Sequence, residues 1–513
     1  APASGATVGG PSVALAASVP DMQPPTQDRW ALAGLVSVLV VAALLRFPNL
    51  GYSDLLGDEA RAMLYATDII QGYPSALLVH KKGPTEVLIP LGIYAVAGEI
   101  TEAQARLPFT LAGVLGIAAL YLLGWRMFGV VAGWLAAMVI AVDGYFIGFA
   151  RIVQYQSVVF CMTVLVALAL YRQARAKRPL PAYLLLAGLL LVASLYSHYE
   201  AIWALIPGVY LLFVYWQRTR DWAGLLRALV GPLLVSGALV AFFYVPFVLD
   251  SHWAETAEYL FDNRLQSTFP HNGLLEFYER TLIYDSVYYF FFLVGMAVIA
   301  QVAVLGKVWP RWAVVGVATL TVAGLAVTFW VRPNWLVIGG TDHTWLFFAL
   351  AVAGAWVAPR LRLEERAVWL WFGVMMLFML FFVQLPNTHV YGFIIPWALV
   401  VGMVIEAGYG ALVRALTLPR ARLVGSAVAT LLVLVFANYA AWYFTIADQE
   451  VLRNWRTLRP AGYWVGYDMP IGRSIFGFPL TNGWKAIGVL VADGVIDAPF
   501  DVHGKEPVAD WYT

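Results

Sequence analysis

Charged and imidazole side chains are scarce in this chain, so the places where they gather mark where chemistry could occur. "GDEARAM", residues 57–63, brings Asp58, Glu59 and Arg61 together. "VHKKGP", residues 79–84, holds His80, Lys81 and Lys82, and "ARIVQYQS", residues 150–157, holds Arg151 and Gln156. Further along lie His198 and Glu200 in "SHYE", Arg332 in "VRPNW", Asp342 and His343 in "GGTDHTW", and His389 and Tyr391 in "NTHVY". A carboxylate is the residue type for a general base on a hydroxyl or amine. Arg grips a phosphate with a two-pronged fork and Lys with a point charge. Together these types suit a transfer reaction in which a phosphate leaves. None of the His residues has metal-ligand spacing within its own loop.

Each group also has a plainer reading. Asp58 and Glu59 suit the first turn of a helix, where the macrodipole favours acids. Arg61 and Lys82 could anchor at lipid headgroups. A single His is commonly a hydrogen-bonded structural residue. Asp54 and Asp68 read as surface acids. Asp143 lies within the third span, eight residues before Arg151 and on the same helical face, which suits an internal pair, a cavity-lining acid or a polar contact between spans.

The elements that must position these residues are membrane helices. Hydrophobic residues make up 61% of the chain and charged ones 12%, with a mean hydropathy of +0.74. An average soluble domain is about 25% charged. The net charge of +1 gives no sign of a nucleic-acid partner, and the 21 Trp and 26 Tyr suit membrane interfaces. The one cysteine, Cys161, lies in an apolar run and reads as a small buried hydrophobe, which rules out a disulfide framework.

A span needs about 20 apolar residues to cross a ~30 Å hydrocarbon core. About thirteen candidates emerge: 30–47, 108–123, 129–149, 157–172, 181–196, 200–216, 224–248, 283–305, 311–330, 344–358, 367–384, 390–411 and 423–446. Alternate loops are basic, among them "YRQARAKRPLP", "QRTRDWAGLLR" and "PRLRLEER". The positive-inside rule places these in the cytoplasm, with the N-terminus. The acidic and His-bearing loops, and the tail after residue 446, then lie outside. A multi-pass protein of the plasma (inner) membrane is expected.

Residues 1–28, rich in Ala, Pro, Ser and Gly, read as a disordered tail. No basic stretch precedes a short apolar core there, so the first span is expected to direct insertion. Residues 29–446 form the membrane domain, and 48–107 its first outer loop. In that loop Ala60, Met63, Leu64, Thr67 and Ile70 recur at helical spacing opposite Glu59, Arg61, Asp68 and Gln71, which predicts a helix lying in the membrane surface. "PTEVLIPLGIYAVAG" reads as a second interfacial or re-entrant piece. Residues 447–513 predict a small outer domain, α/β or β-rich, from short β-prone runs between Gly and Pro turns. The initial Ala and the ending "VADWYT" leave the completeness of both termini open.

The order of motifs resembles that of the GT-C membrane glycosyltransferases. "GDEAR", "KGP", "ARLP" entering the next span and "ARIVQYQS" are similar to the polyprenyl-phosphate-sugar branch (family 39-like), which includes protein O-mannosyltransferases and the aminoarabinose transferases of lipid A. The resemblance implies an all-α polytopic GT-C-like fold with interfacial helices in the first outer loop and an outer C-terminal domain. It implies transfer of a hexosyl or pentosyl group from a polyprenyl-phosphate donor to a protein, lipid or glycan acceptor. Asp58 would be the base, with Glu59 beside it. Arg61, Lys82 and Arg151 would hold the donor phosphate. His80, Lys81, Gln156, His198, Glu200, Arg332, Asp342, His343, His389 and Tyr391 would be lining candidates. Where relatives of the aminoarabinose type read "EKPP" this chain reads "KKGP", so Lys81 replaces a carboxylate that can bind metal. Gln156 stands where many relatives carry Asp. No cofactor is called for by the residues themselves, and a divalent cation stays open. A second reading is a non-enzymatic GT-C-like scaffold, lipid-binding subunit or transporter within a membrane complex.

Overall fold

In hydrocarbon every backbone N–H and C=O must be satisfied internally, so long apolar runs form helices. The structure, a computed structural model, describes residues 26–265, 270–384, 386–466, 476–479, 481–497 and 506–513. Helix α1 (Thr26–Arg46) is followed by a surface group of three: α2 (Gly57–Ile70), α3 (Ala76–Val79) and α4 (Thr85–Ala97). Next come α5 (Glu102–Phe128), α6 (Val130–Val142), α7 (Gly144–Ala150), α8 (Gln156–Arg175) and α9 (Pro181–Ser197). A 3-10 turn leads into α10 (Leu205–Thr219), and α11 (Trp222–Leu249) precedes the short α12 (Trp253–Glu258). The second half runs through α13 (Leu274–Tyr284), α14 (Val287–Leu305), α15 (Arg311–Ala326), α16 (Thr344–Trp356), α17 (Leu363–Phe381), α18 (Tyr391–Ala415) and α19 (Leu418–Ala441). Four short helices end it: α20 (Gln449–Arg453), α21 (Trp455–Leu458), α22 (Trp484–Ala492) and α23 (Glu506–Tyr512).

The chain is thus a mostly helical membrane protein. Among the described residues nine helices are long and apolar enough to cross a bilayer, and ten if α6 and α7 count as one span. The other three expected spans coincide with α9, α16 and α17, of 17, 13 and 19 residues. Helix α17 carries Glu364, Glu365 and Arg366 in its opening turn.

The expected span 129–149 is broken. Its two halves meet at 65°, and Asp143 caps the second by accepting the Phe146 N–H at 3.3 Å. Asp143 and Arg151 therefore do not share one continuous helical face. Tyr289 donates to the same Asp143 at 3.0 Å.

The α6–α7 pair, α8 and α18 are the most enclosed, whereas no residue in the most apolar stretch of α11 is buried. The α5, α6 and α18 backbones approach closely through small residues: a Cβ on Gly133 would strike the Tyr121 carbonyl and one on Gly402 the Ala132 carbonyl. Cys161 is buried in α8, as expected.

The 48–107 loop is helical, as its periodicity predicts, but the buried face of α2 differs. Ala60 and Met63 are buried as expected; Glu59 is buried with them, and Ile70 is exposed. Asp54 is no surface acid. It is 3% exposed, and its Oδ2 accepts the backbone N–H groups of Asn482 and Trp484 at the start of α22. The described tail residues form helices and no strand, in place of the expected α/β or β-rich domain. Of the N-terminal tail, residues 1–25 lie outside the described residues, as do 467–475 and 498–505 of the C-terminal segment. The described antiparallel pairing is Val337–Ile338 with Thr341–Asp342, closed by Gly339 and Gly340, both at positive φ.

Candidate active site

The site is assembled where the ends of several helices meet beside α2. Glu59 in the first turn of α2 receives Arg106 of α5 side-on, with Nε to Oε1 and Nη2 to Oε2 both at 2.9 Å. The same carboxylate accepts the N–H groups of Leu56 at 2.9 Å and Val153 at 2.8 Å. Arg106 uses its remaining donors on the carbonyls of Leu50, Ser53 and Asp54. Both side chains are buried, so this carboxylate has four donors around it and none to spare for a substrate. Glu59, expected as the neighbour of a catalytic acid, fastens α2 to α5 and to the turn at Val153.

Asp58, one residue earlier, points the other way. Its side chain is 45% exposed, and Oδ2 accepts from Gln154 Nε2 at 2.9 Å with Lys82 Nζ at 3.7 Å. No hydrogen bond reaches Oδ1 among the described residues. Gln156 donates in turn to Gln154 Oε1 at 2.9 Å, so two amides in series orient the acid.

Lys82 is placed by its own surroundings. Gly83 lets the chain pass against the Tyr196 carbonyl, which a Cβ would strike. Lys82 Nζ lies 3.4 Å from Glu86 Oε2 and 5.2 Å from the centre of the Tyr155 ring. Glu86, fully buried, also meets His80 Nε2 at 2.9 Å and accepts the Tyr155 N–H at 2.7 Å. Burial opposes both charges. Glu86 and Asp58 nevertheless raise the Lys82 pKa above its ordinary value, while Lys82 and His80 hold the Glu86 carboxyl below its own.

A second polar group adjoins the first through Tyr155. Its ring stacks on His198 with centroids 3.8 Å apart, and its hydroxyl is 3.2 Å from His389 Nδ1. His389 pairs with Glu200, and Tyr391 donates to Glu200 Oε2 at 3.2 Å. A cavity of about 20 Å³, room for one water, lies beneath them between Glu200, His389, Thr163, Trp203 and Trp371. A larger cavity of about 100 Å³, walled by Phe277, Phe329, Phe348 and Phe393, is apolar and holds no titratable side chain.

Four expected groups stand apart. Arg61 is exposed on α2 and makes no hydrogen bond or ion pair among the described residues. Lys81 pairs with Glu255 of α12 at 2.7 Å. Arg332 is exposed and donates to Asn334, while Asp342 accepts from Asn272 and from the Thr344 N–H beside His343 at the head of α16. Arg151 is buried, with donors directed to the carbonyls of Arg46 and Pro48 at 2.9 Å and of Gly477 at 3.3 Å. These bonds tie the end of α1 to the 476–479 segment.

Glu86, Arg106, Gln154 and Tyr155 were not singled out from the sequence. The readable signals were faint: a lone acid in an apolar run four residues after Lys82, an Arg at the entry to a span, and two amides around an aromatic. Among the described residues no three His, Cys, Asp or Glu side chains are grouped to hold a metal ion.

Residues 81–248, which carry Lys82, Glu86, Arg106, Gln154 and Glu200, match the family described as dolichyl-phosphate-mannose-protein mannosyltransferase. The match spans about a third of the chain and is a similarity over that stretch. The match supports the GT-C membrane glycosyltransferase family that the motifs resemble; it begins after Asp58. No curated protein matches the chain. Among solved structures, ArnT from Cupriavidus metallidurans bound to undecaprenyl phosphate is 18% identical with a TM-score of 0.43, over 81% of this chain and 69% of that one. Archaeal oligosaccharyltransferase AglB from Archaeoglobus fulgidus, in complex with an inhibitory peptide and a dolichol-phosphate, is 15% identical with a TM-score of 0.49, over 94% and 59%. These overlaps are too loose to transfer any feature of those proteins to this chain.

Proposed function

We propose that the chain transfers a sugar from a polyprenyl-phosphate carrier to an acceptor hydroxyl or amine, at the outer face of the plasma (inner) membrane. The observation that carries this reading is Asp58: half exposed, fixed through one oxygen by Gln154, with the other oxygen open and Lys82 beside it. A base needs that open lone pair, and a leaving phosphate needs that cation. The free oxygen takes the proton from the acceptor. The acceptor atom forms a bond to the anomeric carbon from the face opposite the phosphate as the carbon–oxygen bond to phosphate breaks. The electron pair leaves on phosphate, where Lys82 meets it. Attack from the opposite face inverts the anomeric centre. The basic loops supply the orientation: Arg175 and Arg218 pair with Glu364 at the end of the bundle away from Asp58, which the positive-inside rule assigns to the cytoplasm.

The test is Asp58→Asn in proteoliposomes given a radiolabelled polyprenyl-phosphate sugar. Loss of a general base lowers turnover about 10²- to 10⁴-fold, with donor binding retained. Unchanged turnover removes Asp58 from this role. Comparing the proteins, lipids and glycans that lose sugar in a deletion strain identifies the acceptor class.

A further inference from the structure

The charge balance around Lys82 leaves a leaving phosphate short of a cation. Asp58 and Glu86 bring two negative charges to one ammonium, at 3.7 and 3.4 Å. A sugar phosphodiester carries one negative charge. When its bond to the sugar breaks, the phosphate monoester left behind carries about −1.5 to −2, so the demand for positive charge rises during the reaction.

The nearest further cation along the chain is Lys81. In the structure its Nζ is turned to Glu255 Oε2 at 2.7 Å, and the two side chains are 49% and 61% exposed. Glu255 belongs to α12, and this contact brings the helix against the turn that carries Lys81 and Lys82. An ion pair this exposed shifts an equilibrium by no more than about five-fold, so an incoming dianion can displace it.

We propose that Lys81 is a second carrier-phosphate residue, which exchanges Glu255 for the phosphate. This rests on the reading of Lys82 as a phosphate contact. Glu255 is then a competitor for Lys81, a specificity element that disfavours weaker anions.

The test uses the full chain in nanodiscs and undecaprenyl phosphate as the probe, titrated with and without EDTA. Glu255→Gln is expected to tighten binding about two- to five-fold. Lys81→Met weakens it, and Lys81→Met with Glu255→Gln binds like Lys81→Met alone, because Glu255 acts only through Lys81. If Lys82→Met weakens binding while the Lys81 and Glu255 variants match the wild type, this inference is overturned and the phosphate reading stands. Binding abolished by EDTA and indifferent to Lys81 also overturns it, with a metal ion as the missing cation. If Lys82→Met binds as the wild type does, the phosphate reading itself falls.

Discussion

Arg106→Met removes the guanidinium from the buried pair that fastens α2, and is expected to cost about 3–5 kcal/mol of stability, as breaking one half of a buried ion pair does. Counting contacts gives a similar size. Glu59 loses two of its four donors, Nε and Nη2 of Arg106, and keeps the N–H groups of Leu56 and Val153. Hydrogen bonds to a charged group contribute about 1.5–3 kcal/mol each, so two account for about 3–6 kcal/mol. Glu59→Gln combined with Arg106→Met removes both charges and is expected to be less destabilised than Arg106→Met alone, since no unpaired carboxylate stays buried. The assay is unfolding of the purified chain in mixed micelles by sodium dodecyl sulfate, followed by tryptophan fluorescence. Arg106→Met within about 1 kcal/mol of the wild type, or a double variant as costly as the two singles added, would refute the reasoning. Transfer activity is expected to fall in Arg106→Met although Arg106 meets no substrate, because Glu59, which holds Val153 next to the Gln154 that orients Asp58, loses its own anchor.

Glu86→Gln should change the pH dependence of stability. The folded Glu86 pKa lies below its ordinary 4.5, so its contribution is fully present above 4.5 and fades as the pH falls through the folded value. The stability gap between wild type and Glu86→Gln, read by the same titration, is expected to be constant at neutral pH and to close in acid. The Lys82 pKa is raised above 10.5, so its contribution is full below 10.5 and fades as the pH rises through the folded value. Arg151→Met should cost about 1–3 kcal/mol by stranding buried carbonyls, with the donor KM of the folded enzyme unchanged; a ten-fold rise in KM at unchanged stability would restore the phosphate role. Tyr512→Phe removes hydrogen bonds to the Leu55 N–H at 3.0 Å and Glu102 at 2.7 Å, and should speed limited proteolysis of the C-terminal segment.

The helices were legible because a hydrocarbon core imposes length and apolarity on any crossing segment. The break at Asp143 was not, since apolar residues continue on both sides and the cap is a local hydrogen bond. The tail misled for a related reason. The Ile and Val of "WKAIGVLVA" suit a strand, yet the segment is a helix whose entry, the N–H groups of Asn482 and Trp484, is held by Asp54, 428 and 430 positions away. Arg151 was read as functional because basic residues are rare on its side; its acceptors are backbone carbonyls, which have no sequence signature.

The adjacent acids Asp58 and Glu59 show most directly what spacing conveys and what it omits. Neighbours on a helix point about 100° apart, so one faces the protein and the other need not. Which one faces inward is decided by Arg106, 47 positions from Glu59. Once Glu59 is enclosed by four donors it has no reactive lone pair to offer, and its value lies in rigidity. The same bond network that closes Glu59 reaches Val153, and Gln154, the next residue, sets Asp58. Glu86 repeats the arrangement for Lys82: a fully partnered buried acid holds a half-open functional group. On the proposed function, reactivity falls to groups whose partners leave one position free, and those groups are positioned by acids whose partners leave none.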